Sequence, residues 1–280
     1  MFKRALLVAA ATAVLAMAGQ AQAGRVFLTG HDPDYHAQTQ ASGVHELQVA
    51  LDYVTHGSYD DGAEKFLYVT SYIALFGDHR DGRVALTGAL GLVQGVNFDT
   101  ANGSELAGIN FNDYSAIIVA SDYGGILTSD EIDELNARAG DIKTFVNGGG
   151  GLAAFAECGP GFFNCEGDLV SASTNLFGFV PVGVTSVVTS APYHVTAFGQ
   201  SLGLTDADVD DCCTHNSFAG PAGLNIVDTD GNGVPTTLAG DVKIGGGGFT
   251  GAPEPTLWAS MILGFGLAGA ALRRRVSVHA

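Results

Sequence analysis

Two imidazoles and two carboxylates fall within six residues, at His31, Asp32, Asp34 and His36, around Pro33 and Tyr35. Nitrogen and oxygen ligands at this density suit a borderline or hard divalent metal, or hydrogen bonds to the hydroxyls of a sugar. A solvated turn that Asp32 caps and Pro33 stiffens explains the same residues, and the two readings stand side by side. Asp122 and Tyr123 close a strongly apolar run and are candidate ligand contacts. Tyr123 would stack on a sugar ring or cover a helix end. Glu157 is a candidate general base if burial raises its pKa, with His31 beside it as the other candidate catalytic group. Asp228, Asp230 and Asn232, followed by Gly233, place oxygen ligands at alternate positions as a calcium loop does. The twelfth position of that loop should carry a bidentate glutamate and carries Ala239, so a plain β-turn is favoured over weak calcium binding. No cofactor is named by these residues beyond a divalent metal.

The elements that must position these groups are legible in part. Residues 26–29 form a short apolar run ended by Gly30, which predicts a first strand with the His31 cluster at its carboxyl end. Val44, Leu47, Leu51 and Val54 recur at helical spacing. Residues 66–70 are rich in strand formers and predict a second strand. The glycine-rich stretch 81–108 predicts a weak helix and then irregular chain. Residues 115–121 are apolar on both faces, as a central parallel strand covered on both sides should be. Thr128 and Glu131 form a capping box, and Ile132, Leu135, Ala139, Ile142 and Val146 continue it as one helix up to Gly148. Residues 152–156 then predict another buried strand, completing a βαβ unit. Further on, strands are expected within 180–189, at 224–227 and 236–238 around a hairpin turn, and at 242–244.

Four cysteines bear on the same region. Cys158 and Cys165 bracket a glycine- and proline-rich loop and are placed for a local disulfide; Cys212 and Cys213 are adjacent, and four cysteines allow three pairings. His194 and His215 are further candidate bases, and the polar run 214–217 beside the cysteine pair suits either the crevice or a disulfide-fixed loop. The chain carries a formal charge of −17. Five of its twelve basic residues lie in the two terminal segments, against one of its twenty-nine acids, so the middle is more acidic still. Such a surface excludes nucleic acid and anionic lipid as partners of that middle part, since neutralising phosphates needs Lys and Arg. It permits divalent cations and neutral sugars.

The two ends carry addresses. Lys3 and Arg4, an apolar run over 5–18 and Ala21-Gln22-Ala23 make a cleavable signal peptide over residues 1–23, which implies Sec export. At the other end, Pro253-Glu254-Pro255 precedes an apolar run over 257–272 and then Arg273, Arg274 and Arg275, a basic stop on the cytoplasmic side. This tail resembles the PEP-CTERM sorting signal of exported Gram-negative proteins. That resemblance implies an exosortase-like membrane protease as partner, a transient membrane span, release to the periplasm, outer surface or medium, and a link to exopolysaccharide. An ordinary anchor that is never processed fits the same residues. The expected organisation is signal peptide 1–23, an α/β domain over 24–244, a glycine-rich linker over 245–251 and a sorting tail with a hydrophobic helix over 252–280.

The stretch 25–32, a strand ending in a Gly-His turn, and the stretch 113–152, with its capped helix and Phe145-Val146-Asn147-Gly148-Gly149-Gly150-Gly151-Leu152 join, resemble the class I glutamine amidotransferase-like superfold, in particular its trehalose-utilisation-type branch. The resemblance implies a flavodoxin-like three-layer sandwich with a mainly parallel sheet, to which this chain would add a β-rich C-terminal part, and ligands beyond the carboxyl ends of the strands. Its active members carry a nucleophilic cysteine on the elbow after the glycine-rich join, with a histidine late in the chain. Here Ala156 or Glu157 falls at that place and Cys158 comes late, so a disulfide is favoured over a thiol nucleophile. The chain is therefore expected to be a non-catalytic binding or scaffolding protein, with a hydrolase or carbohydrate-modifying enzyme built on a His/Asp/Glu site as the alternative.

Overall fold

The computed structural model describes residues 23–72, 81–122, 125–155, 177–209 and 214–242. All lie in the first of two compact units, Met1–Ile244; the second, Gly245–Ala280, falls outside them. Outside them too lie residues 1–22 of the expected signal peptide, the expected linker, Pro253, Glu254, Pro255, Arg273, Arg274, Arg275 and the apolar run expected to span a membrane. Among the described residues no helix is long and apolar enough to do so.

The chain enters on β1 (Gly24–Thr29), makes the single helical turn α1 (Pro33–His36) and continues as α2 (Ala41–Thr55). After β2 (Phe66–Val69) come a π-helical turn (Ala85–Ala89), β3 (Phe98–Ala101), α3 (Gly103–Leu106), a 3₁₀ turn (Phe111–Asp113) and β4 (Ala116–Val119). Helices α4 (Ser129–Ala137) and α5 (Ala139–Asn147) lead to β5 (Gly151–Ala154). The rest is mainly β: β6 (Ser186–Ser190), β7 (Tyr193–Val195), β8 (Thr214–Phe218), β9 (Asn225–Asp230) and β10 (Pro235–Val242), with short helices α6 (Ala197–Ser201) and α7 (Asp206–Val209) between.

Eight strands form one mixed sheet in the order β3-β2-β4-β5-β1-β10-β9-β7. The first five are mutually parallel, and β10, β9 and β7 extend them antiparallel. β6 and β8 pair separately as an antiparallel ribbon. Every residue of β2, β4 and β5 is buried, so both faces of these three strands are covered, and their sequences carry no polar alternation for that reason. β1 and β5 are neighbours, with Val26 opposite Leu152 and Leu28 opposite Ala154. The turns after β1 and β5 therefore leave from adjacent strands.

Three expectations are corrected. The helix expected from Thr128 to Gly148 is two helices, broken at Arg138, whose φ of −99° and ψ of 15° leave the helical region. The break is held by the Arg138 guanidinium, which donates to the Leu106 carbonyl and lies 4.0 Å from the centre of the Phe111 ring. Within 81–108, expected to end irregularly, β3 forms an edge strand on β2, and an Asn102–Glu105 capping box starts α3 immediately after it. The strand expected at 236–238 is part of a longer, eight-residue strand, β10, paired along β1 and reaching Val242; residues 243 and 244 of the strand expected at 242–244 lie outside the described residues.

Candidate functional site

The carboxyl ends of the parallel strands deliver Gly30, His31 and Asp32 from β1, Thr70 and Ser71 from β2, Asn102 from β3, Ser121 and Asp122 from β4, and Phe155 from β5. At Gly30 the backbone of β8 comes so close that a Cβ would strike the Asn216 carbonyl, and the Asn216 N–H donates to the Gly30 carbonyl at 3.0 Å. Glycine here lets the ribbon close over the end of β1.

The four residues of the His31 cluster are brought to one edge, but their side chains divide among different partners. His31 leaves the group: its Nε2 lies 3.3 Å from Asp228 Oδ1 on β9, and its ring meets Tyr193 edge-on at 4.7 Å. Asp32 and His36 face each other across the single turn of α1, Nε2 to Oδ1 at 3.2 Å. Gln40 Nε2, a donor only, lies 2.9 Å from His36 Nδ1, so Nε2 carries the proton that His36 directs at Asp32. Asp34 turns the other way, to the end of β4. Its Oδ1 accepts from the Ser121 hydroxyl at 2.6 Å, and its Oδ2 accepts from the Ser121 N–H at 3.0 Å and the Tyr68 hydroxyl at 2.8 Å. A Cβ at residue 125 would overlap that same Oδ2, so Gly125 is required where the chain returns past it. The expected shared metal set of His31, Asp32, Asp34 and His36 is thus not assembled. Among the described residues no three His, Cys, Asp or Glu side chains converge as ligands would.

Glu46, on α2, is the member of the cluster that sequence reasoning missed. It is buried and accepts from the Thr29 hydroxyl at 3.2 Å, while that hydroxyl also lies 2.9 Å from the Thr237 hydroxyl and accepts from the His31 N–H at 3.0 Å. Its signal was present: Glu46 lies one helical turn before Ala50 and next to Leu47, on the buried side of α2, where a carboxylate is out of place without a partner. Asp228, a calcium ligand only in the less favoured reading of its hairpin, is buried with its Oδ1 3.3 Å from His31 Nε2.

Electrostatics follow from this enclosure. Burial alone opposes a charged His31, but the carboxylates of Glu46, Asp228 and Asp32 outweigh it and raise its pKa to about 9. Burial raises Glu46 to about 8, with His31 pulling the other way. Burial also raises Asp34 to about 6, against the hydrogen bonds from Ser121 and Tyr68 that favour its charged form. Against burial, a charged His31 and the carboxylates beside it thus favour one another.

The remaining candidates fall elsewhere. Asp230 closes the β9–β10 hairpin: its Oδ1 accepts from the Asn232 and Val234 N–H groups, both at 2.8 Å, and its Oδ2 from the Thr189 hydroxyl at 2.8 Å. With Asp228 turned to His31, Asp228, Asp230 and Asn232 form a hairpin turn rather than a cation loop. His194 sits exposed on β7 beside Asp206, Nδ1 to Oδ2 at 3.3 Å, away from the cluster. The polar run expected to be a loop carries the backbone of β8; the side chain of His215 lies outside the described residues. Asp122 is buried at the end of β4. Tyr123, Glu157, Cys158, Cys165, Cys212 and Cys213 also lie outside the described residues.

No protein-family model, no curated protein and no solved structure matches this chain.

Proposed function

We propose that the chain is an exported domain of amidotransferase-like type, layered as in flavodoxin, that binds or scaffolds envelope or extracellular polysaccharide without transforming it. The observation that carries this reading is the enclosure of the carboxyl edge. The charged groups there are turned to partners inside the protein: His31, Asp32, Asp34 and Glu46 are each at most 3 % exposed. A catalytic acid or base must reach a substrate, whereas a domain that holds its polar core closed serves as a stable body carrying binding surfaces. The terminal segments support a route of Sec export, capture by an exosortase-like protease through Pro253-Glu254-Pro255, and passage through a transient membrane-held stage to the periplasm or outer surface.

A second reading, a hydrolase or carbohydrate-modifying enzyme, draws support from His31 and Glu46, which titrate near one another in the same enclosure, as acid–base pairs at active sites do. One experiment separates the two. The full chain, recovered after export, is incubated with the polysaccharide shed by the producing cells. Co-sedimentation with no new reducing ends supports the binding protein. Depolymerisation that disappears in His31→Gln overturns it in favour of the enzyme.

A further inference from the structure

At the opposite end of β1 from the buried cluster lies an open groove of about 640 Å³, running along α2 as far as Tyr59. Tyr53 and Tyr59 give it aromatic surface; His45, Gln48, Asp52 and His56 give it planar hydrogen-bonding groups. We propose that this groove is a saccharide-binding site for an uncharged glycan chain; the assignment rests on the binding reading above and gives it a place.

Four observations support it. The Tyr53 ring is held rigid: the Arg25 guanidinium lies 5.2 Å from its centre, and the Phe27 ring packs against it at 6.3 Å, tilted by 57°. Rigid aromatic faces beside fixed amide, carboxylate and imidazole groups match the apolar faces and ring hydroxyls of a sugar. Both phenols stay protonated as donors, since burial raises Tyr53 to about 12 and raises Tyr59 as well. The groove selects against anions, because its one guanidinium is answered by Asp241 at 3.5 Å while Asp52 stays exposed, on a chain of charge −17. Finally, His56 ends α2 in the left-handed conformation, φ 58°, where glycine is the unstrained choice. It is exposed, so packing does not explain a histidine there. Partial desolvation of its ring and the charge of Arg25 lower its pKa, which favours the neutral ring, able both to donate and to accept.

The test uses the full chain and two probes, a soluble neutral β-glucan and a neutral α-mannan, with affinity read by electrophoresis through polysaccharide-loaded gels. Retention by one of them, weakened about tenfold by Tyr59→Ala and also weakened by His56→Gly while the melting temperature of His56→Gly rises, supports the site. A purely structural role for His56 would give the rise in melting temperature without the loss of retention. Equal retention by parent and both variants overturns the groove and leaves the binding reading intact. A parent that ignores both probes yet sediments with the shed polysaccharide does the same. A parent that does neither overturns both.

Discussion

Asp34 is the residue on which the closed edge turns, and its titration is open to measurement. The folded state holds its proton more tightly than the unfolded chain, so ionising it costs stability as pH rises from about 4 to about 6. Below that window the cost is absent. Asp34→Asn removes the ionisation and keeps one acceptor. The difference in unfolding free energy between parent and variant should therefore shift by roughly 3 kcal/mol across the window, in favour of the variant at the higher pH. Urea unfolding at a series of pH values checks this, and a flat difference refutes it. His31 offers a second measurement: with Asp228→Asn or Glu46→Gln, its imidazole titration followed by NMR should move down from about 9. At this scale the sequence was half legible. The density of His and Asp at 31–36 marked a polar cluster at the end of β1, but not the direction in which each side chain leaves. That direction depends on Ser121, Tyr68 and Asp228, which lie 34 to 197 positions away in the chain.

At the scale of elements, Glu131 links two helices. Its Oε2 accepts from the Thr128 hydroxyl at 2.5 Å and from the Thr128 N–H at 3.0 Å, while its Oε1 accepts from the Gly103 N–H at 2.8 Å at the start of α3. Thr128→Ala should cost about 1 kcal/mol, the usual loss of a cap. Glu131→Ala should cost more, roughly 2–3 kcal/mol, because two helix starts, the one at Gly103 buried, then lose their acceptor. Equal losses on chemical unfolding would show that the link to α3 contributes nothing. Elements with a strong period or a full run of β-branched residues (α2, β4) were readable beforehand. β3, β7 and β8 were not. Phe98-Asp99-Thr100-Ala101 is buried at its ends and half-buried between them at the sheet edge, and β8 spells Thr-His-Asn-Ser-Phe, polar because it crosses the polar edge at Gly30. The single helix expected over 128–148 failed at Arg138, where a contact with Phe111 overrides local preference.

For the molecule as a whole, the charge of −17 implies self-repulsion that salt should relieve. The melting temperature should rise between about 10 mM and about 150 mM sodium chloride, over which the screening length falls from about 30 Å to about 8 Å. No such rise would mean that the acids are already balanced locally. The mixed α/β class was readable from the βαβ unit and the β9–β10 hairpin from its turn residues, whereas the joining of that hairpin to β1 and the addition of β7 were not, because those places are set by partners rather than by pattern. One feature of that sheet reaches beyond stability. β1, the first described strand, lies between β5 and β10, the last, with Gly24 opposite Val242. The centre of the sheet is thus completed only when the final strand arrives, and a chain ending at residue 234 should give no cooperative melt. Under the export route proposed above, a polypeptide threading a narrow translocation channel would gain from this order, since its earliest described strand has no permanent neighbour on one side until β10 has emerged.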